Sequence, residues 1–80
     1  HDWPPGLKSM WWDAKGNWDA SHIIAQEISS QDGNWIHAYL HRKEGDRFNV
    51  EYWYRAANKL YPQISLDEEQ KKLVSYFIGT

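Results

Sequence analysis

Cysteine is absent from the 80 residues. That removes disulfides and thiolate metal sites at once and leaves an uncrosslinked core to hold a domain near the lower size limit. A chain without thiols suits a reducing compartment, so a cytoplasmic location is the expectation. Long hydrophobic runs are missing: nothing approaches the ~20 apolar residues of a membrane span. Nor does a basic start lead into an apolar stretch and a small-residue cleavage site. Basic residues do not gather. Formal net charge is −2, the densest basic stretch is His41-Arg42-Lys43, and the phosphate-neutralising patch of a nucleic-acid binder is not there. Gly-rich phosphate loops are missing, and Ser9, Ser21, Ser29, Ser30, Ser65 and Ser75 stand in no nucleophile elbow. Period-two alternation never lasts long enough for a strand, which leaves an all-α class. Nucleic acid and membrane are therefore not the expected partners.

Aromatic residues, by contrast, are abundant: six Trp, five Tyr and two Phe. Large rings fill the core of a small domain efficiently, and the same rings make pocket walls and binding anchors.

Punctuation divides the chain into five short helices in one domain. Pro4-Pro5-Gly6 reads as the end of an extended lead-in over residues 1–6. Leu7, Met10, Trp11 and Ala14 then recur at helical spacing, and Gly16 stops that helix. Asn17 caps a second helix from Trp18 to about Ile28, with Ala20, Ile23, Ile24 and Ile28 inward. Ser29–Gly33 is dense in turn formers and reads as a loop. Asn34 is the expected cap of a third helix, Trp35–Glu44, with Trp35, Ile36, Tyr39 and Leu40 inward. Asp46 caps a fourth, Arg47 to about Lys59, which is apolar or aromatic almost all round and so reads as the central helix. Ser65-Leu66-Asp67-Glu68 is a capping box opening a closing helix over residues 65–78, with Leu66, Leu73, Val74 and Phe77 inward.

The chain also repeats itself. When Leu7 is laid on Ile36, Met10 falls on Tyr39, Trp11 on Leu40, Gly16 on Gly45, Asn17 on Asp46, Ile24 on Trp53 and Ile28 on Ala57. Gly followed by a capping residue is a helix stop and a helix start in one step. Two antiparallel helical hairpins, 7–28 and 34–59, are expected from it. Ala14-Lys15-Gly16-Asn17-Trp18-Asp19-Ala20 resembles the turn of a tetratricopeptide repeat. Tyr52-Trp53-Tyr54-Arg55-Ala56-Ala57 resembles the second helix of a Sel1-like repeat. That resemblance implies a surface for a peptide or protein partner. Trp35–Tyr54 also resembles a group of short bacterial proteins without an assigned activity, which implies kinship but no chemistry.

The candidate chemistry lies around the third helix. His37, His41 and Glu44 follow at i, i+4 and i+7 and share one stripe beside the apolar face. That spacing suits a divalent metal. It equally suits a helix that ends in basic groups to offset its dipole. Antiparallel packing about the turn at 29–34 brings His22 level with His41. Packing about Gly45 brings Asn49 level with His41 and Glu51 nearby. His22, His41 and Glu51 are the candidate acid–base residues, because imidazole titrates near neutrality. Trp11, His37, Glu44, Asn49, Tyr52 and Arg55 are the candidate ligand-binding residues, although the spacing of Glu51 and Arg55 equally suits an ordinary i, i+4 ion pair. His1 is no part of the site. Three functions stay open: a binding module for a protein or peptide, a second copy included; a small enzyme or metal-dependent protein; and a pocket for a planar ligand such as a sugar or an organic cation. No cofactor is implied beyond a divalent metal.

Overall fold

Two turns at matching positions of the repeat share one backbone chemistry, and a third copies it with asparagine. Gly16 and Gly45 take φ of +84° and +83°, and Asn58 takes 60°. At the first, Gly16 N–H donates to Asp13 O and Asn17 N–H to Trp12 O. At the second, Gly45 N–H donates to Arg42 O and Asp46 N–H to His41 O. Asn58 and Lys59 do the same to Arg55 and Tyr54. Each closure satisfies carbonyls that a helix end leaves orphaned, and it needs a left-handed residue at its apex. After each glycine, the next residue caps the following helix. The Asn17 side chain accepts from Ala20 N–H at 3.0 Å and the Asp46 side chain from Asn49 N–H at 3.4 Å.

The computed structural model describes residues 3–79, so His1 lies outside the described residues. It contains α1 Pro5–Ala14, α2 Trp18–Gln26, α3 Gln31–Glu44, α4 Arg47–Ala56 and α5 Leu66–Ile78, with no strand among the described residues. The all-α class expected from the sequence is the class observed. No helix of the described residues is long and apolar enough to cross a membrane.

Four boundaries differ from the sequence reading, the least of them at α2, which ends at Gln26. Helix α1 starts at Pro5 with Pro4 as its N-cap. A proline in the first turn forfeits no hydrogen bond and brings a preset φ, so this Pro-Pro opens a helix instead of preceding one. Helix α3 starts at Gln31 with Ser30 at the N-cap, which turns most of the expected loop into a first helical turn. Gly33 permits that closure, because a Cβ there would stand 2.1 Å from the Ile28 carbonyl oxygen. Asn34 therefore caps nothing, and its amide donates to Ala56 O at 3.2 Å. Helix α4 ends at Ala56, because Asn58 closes it.

The centre is α3, not α4. Helices α1, α2, α4 and α5 all pack on α3, whereas the α4 backbone packs on α3 alone and does not meet α2. Met10, Ala25, Ile36, Tyr39, Leu40, Leu73 and Phe77 form the main core, and Ala38, Val50 and Tyr54 a smaller one beneath α4. Three side chains expected inward, Trp11, Ala14 and Ile23, are exposed. The buried face of α1 is instead Gly6, Ser9, Met10 and Asp13.

The buried carboxylates of this interior are paired. Asp13, 2% exposed, accepts from Tyr39 Oη at 2.7 Å, Gln70 Nε2 at 2.8 Å and Lys43 Nζ at 2.8 Å. Glu69, also 2% exposed, accepts from Tyr54 Oη at 2.5 Å, Arg42 Nη1 at 2.8 Å and Trp35 Nε1 at 3.2 Å. A second Arg42 nitrogen donates to the Ile64 carbonyl, which ties the segment before α5 to α3. Burial, and then the hydrogen bonds to these carboxylates, push the Tyr39 and Tyr54 hydroxyls far above the ordinary phenol range. Ser9 Oγ donates to Ser21 O at 2.8 Å and lies 3.0 Å from Ser21 Oγ, joining α1 to α2.

Candidate functional site

On α2, Trp18 and His22 are one helical turn apart, and on α3 so are His37 and His41. Positions four apart share a face, and α2 lays its pair against that of α3. Trp18 stacks on His22 with ring centroids 4.7 Å apart, and His22 stacks on His37 at 4.7 Å. Trp53 of α4 closes the far side, its ring meeting His37 at a 4.2 Å centroid distance and a 73° angle. His41 stands edge-on to His22 at 5.5 Å and to His37 at 6.0 Å, and parallel to Trp53 at 6.2 Å. The Trp18 indole N–H donates to Leu40 O at 2.9 Å and so anchors the stack to the α3 backbone. Rings from α2 and α4, whose backbones stay apart, thus meet across the one helix both pack on.

The electrostatics are unusual for an interior. His37 is 7% exposed, and neither of its ring nitrogens has a hydrogen-bond partner. His41 Nδ1 lies 3.7 Å from Asp46 Oδ2, within ion-pair range but beyond hydrogen-bond reach, and it too is buried and unbonded. Burial first, and then the charges of His22 and His41, bring the His37 pKa down to about 4. Burial also lowers His22, as does His41, while Glu44 and Asp19 pull it the other way. His37 is therefore neutral at pH 7. The Asn49 amide donates to Asp46 Oδ2 at 2.6 Å and holds that carboxyl below its usual range.

Of the residues expected to converge, His22, His37 and His41 do, beside Trp18 and Trp53. Glu44 is exposed but close enough to act on His22, and Asn49 stands one residue removed, on Asp46. Glu51 does not join them. It lies two positions from Trp53, about 200° round α4, and borders a hollow with Tyr54, Arg55, Leu60 and Tyr61. The expected acid–base grouping of His22 and His41 with Glu51 is corrected accordingly, and Arg55 goes with Glu51. Trp11 sits on α1 against Trp12, under the Lys15 ammonium. Tyr52 is exposed, its ring edge-on to Trp53. Among the described residues no three His, Asp or Glu side chains are grouped for a metal ion as the rings stand, the expected His37, His41 and Glu44 included. Hollows lie elsewhere on the surface. One of about 270 Å³ is lined by Asp32, Trp35, Asn58, Lys59 and Tyr76 among others, and no histidine borders it. No imidazole lines any of these hollows.

No family model, curated protein or solved structure matches the chain. The arrangement has to be read from its own chemistry.

Sequence reasoning missed Phe48, which borders a hollow with Glu51, and Leu60 and Tyr61, which border another with Glu51 and Arg55. Phe48 is 96% exposed and Leu60 92%. The signal in the sequence was the i, i+4 pair Phe48 and Tyr52, opposite Val50 and Tyr54, on a helix that needs only one buried face.

Proposed function

We propose that the chain is a small helical binding module whose working surface is the outward face of α4 and the loop after it, and that it takes a peptide or protein partner. One observation carries this: Phe48 stands 96% exposed on a helix whose inner face is already filled by Val50, Trp53 and Tyr54. A side chain of that size in water favours any partner that covers it. Tyr52 lies one turn on, and Glu51 and Arg55 flank the pair with charge of both signs. Aromatic anchors ringed by polar groups are the usual make-up of a small interface. The resemblance of the Gly16 and Gly45 turns to tetratricopeptide and Sel1-like repeats supports the same reading.

Peptides selected from a displayed random library on the immobilised chain test it. They should share an apolar motif, bind one to one in calorimetry, and lose about tenfold or more in affinity on Phe48→Ser. Lys71→Ser, on the exposed side of α5, should leave them unchanged. Failure to enrich any peptide, or binders indifferent to Phe48, ends the reading.

A second reading rests on Lys59, whose Nζ lies 4.1 Å from the Trp35 ring centroid. The face of Trp35 accepts a cation there, and the adjoining hollow carries Asp32 and Tyr76. An organic cation would take the place of Lys59. In Lys59→Gln, tetramethylammonium should shift the Trp35 indole N–H resonance; an unmoved signal removes this reading.

A further inference from the structure

The imidazole stack on α2 and α3 is distinct from the α4 face, and it poses a separate question. A small domain has placed three titratable rings where Leu or Phe would pack, and has left buried nitrogens on two of them without partners. The carboxylates of the same molecule show that its interior can satisfy polar groups. A buried polar group left unbonded bears its full desolvation cost. Rings at centroid distances of 4.7 to 6.0 Å leave no room for an organic ligand between them. A single ion is small enough.

We propose that His22, His37 and His41 form a three-imidazole site for one borderline transition-metal ion of the Zn²⁺ class. The spacing supports it. A nitrogen about 2.0–2.1 Å from Zn²⁺ puts its ring centre ~3.2 Å from the ion, and tetrahedral angles then put two ring centres ~5 Å apart. The three separations here bracket that figure. Ring centres lie close to the Cβ–Cγ axis, so turning a ring about χ2 swings its nitrogens while hardly moving its centre. His41 is already steeply inclined to both other rings, at 86° and 70°. The stacked pair must change, and His22, the more exposed of the two, turns by giving up its parallel stacking on Trp18 and His37.

The surroundings suit a cation. Asp46 stands beside His41 Nδ1, the position from which a carboxylate orients a ligating imidazole through its other nitrogen. Glu44 and Asp19 act on His22 from the solvent side. Neutral imidazole is the ligating form. Three nitrogens leave a fourth position for water or a partner's side chain. This site replaces the His37, His41 and Glu44 set that helical spacing suggests, because His22 lies in the stack and Glu44 is exposed.

The test uses the full chain carrying His1→Ser, which removes the fourth histidine. Zn²⁺ titration by calorimetry should show one equivalent bound. Co²⁺ should give the visible absorption of a low-symmetry site, and the ring resonances of His22, His37 and His41 should shift together. His22→Ala and His41→Ala should each weaken binding by about 100-fold or more, at least the loss that removing an outer partner can cause. Glu44→Gln should change it little. Should His37→Ala fail to fold by circular dichroism, His22→Cys settles the matter: it should keep Zn²⁺ and add a thiolate-to-Co²⁺ charge-transfer band. The proposal is overturned by no heat and no ring shifts, by binding that survives His22→Ala with His41→Ala, or by a loss in Glu44→Gln equal to that in His22→Ala. None of these results bears on Phe48 and the α4 face, so the two readings fail separately.

Discussion

The two flanks of α3 treat buried polar groups in opposite ways. Trp35, Tyr39, Arg42 and Lys43 point to one side, and each donates to Asp13 or Glu69. About 180° round the helix, His37 and His41 point to the other side and share no hydrogen bond with each other or with His22. The first flank is a closed network, in which each carboxylate takes three donors drawn from more than one helix. The second is a stack of rings held by packing and by one hydrogen bond at its end, from the Trp18 indole N–H to Leu40 O. Closed networks of this kind fix helix positions, because each donor has one place to go. The open stack fixes ring positions but leaves nitrogens for something else. The difference separates polar burial that serves the fold from polar burial available to a ligand.

The largest expected effect breaks the closed side. Glu69→Ala strands the Arg42 guanidinium and two neutral donors in the interior, and should cost about 3–5 kcal/mol in urea denaturation. In a domain this size that approaches the whole stability. Asp13→Ala should cost somewhat less, since Lys43 can turn to water. A loss below about 1 kcal/mol for both, the range of an exposed ion pair, would mean that the networks are surface decoration, and the contrast between the flanks would collapse.

Acid should act on the open side. The folded pKa of His37, about 4, lies below the ordinary imidazole value of 6.5. Above pH 6.5 both folded and unfolded chains leave this ring neutral, and its contribution is fully present. As pH falls from 6.5 towards 4 the unfolded chain takes up the proton first, and stability is lost. The expected loss is on the order of 2–3 kcal/mol over that window, with His22 adding in the same direction. Denaturation curves in metal-free buffer at stepped pH measure it, and the difference between wild type and His37→Leu isolates it. A difference that does not change between pH 7 and pH 4.5 would contradict the assignment.

The turns come next, because both flanks hang on them. Gly16 closes α1 shortly after Asp13, and Gly45 closes α3 just after Arg42 and Lys43. Gly16→Val and Gly45→Val each force a β-branched residue to positive φ and should cost about 1–2 kcal/mol. Neither position has a neighbour that an added Cβ would meet, so backbone angle alone sets the cost. Equal shifts in melting temperature are expected, and an excess at either glycine would report strain passed into the network beside it.

These turns were the most legible part of the sequence. Gly-Asn and Gly-Asp each combine a helix stop with a cap, and that chemistry is local. The histidine stack was legible for a related reason: His37 and His41 share a stripe, and chain reversal between α2 and α3 brings His22 to it. Glu51 was misplaced because packing about Gly45 fixes a residue's level along α4 and not the side it faces, and α4 splits into a buried face and an exposed one. The carboxylate networks were the least legible. Glu69 does fall on the apolar stripe with Leu73 and Phe77, at successive helical turns, which marks it as buried. Its donors, however, come from Trp35 and Arg42 on α3 and Tyr54 on α4, and only tertiary packing brings them together.

The smallest effect sharpens the comparison most, because its sign decides. In metal-free buffer His37→Leu removes two unpartnered buried nitrogens, a gain of about 1–3 kcal/mol if nothing else changed. It also removes ring contacts with His22 and Trp53, worth roughly 0.5–1.5 kcal/mol each beyond burial. The two terms nearly cancel. The variant should therefore melt within a few degrees of wild type, on the stable side, since leucine packs without a polar cost. The same apolar replacement at Asp13 strands Tyr39, Lys43 and Gln70, and should be strongly destabilising. Opposite signs for His37→Leu and Asp13→Leu would show that only one flank of α3 is closed by its own hydrogen bonds. A clear loss of stability in His37→Leu, comparable to that in Asp13→Leu, would mean that the imidazole is itself a structural group, holding the stack as Asp13 holds its donors. In that case the unpaired nitrogens would no longer point to a ligand.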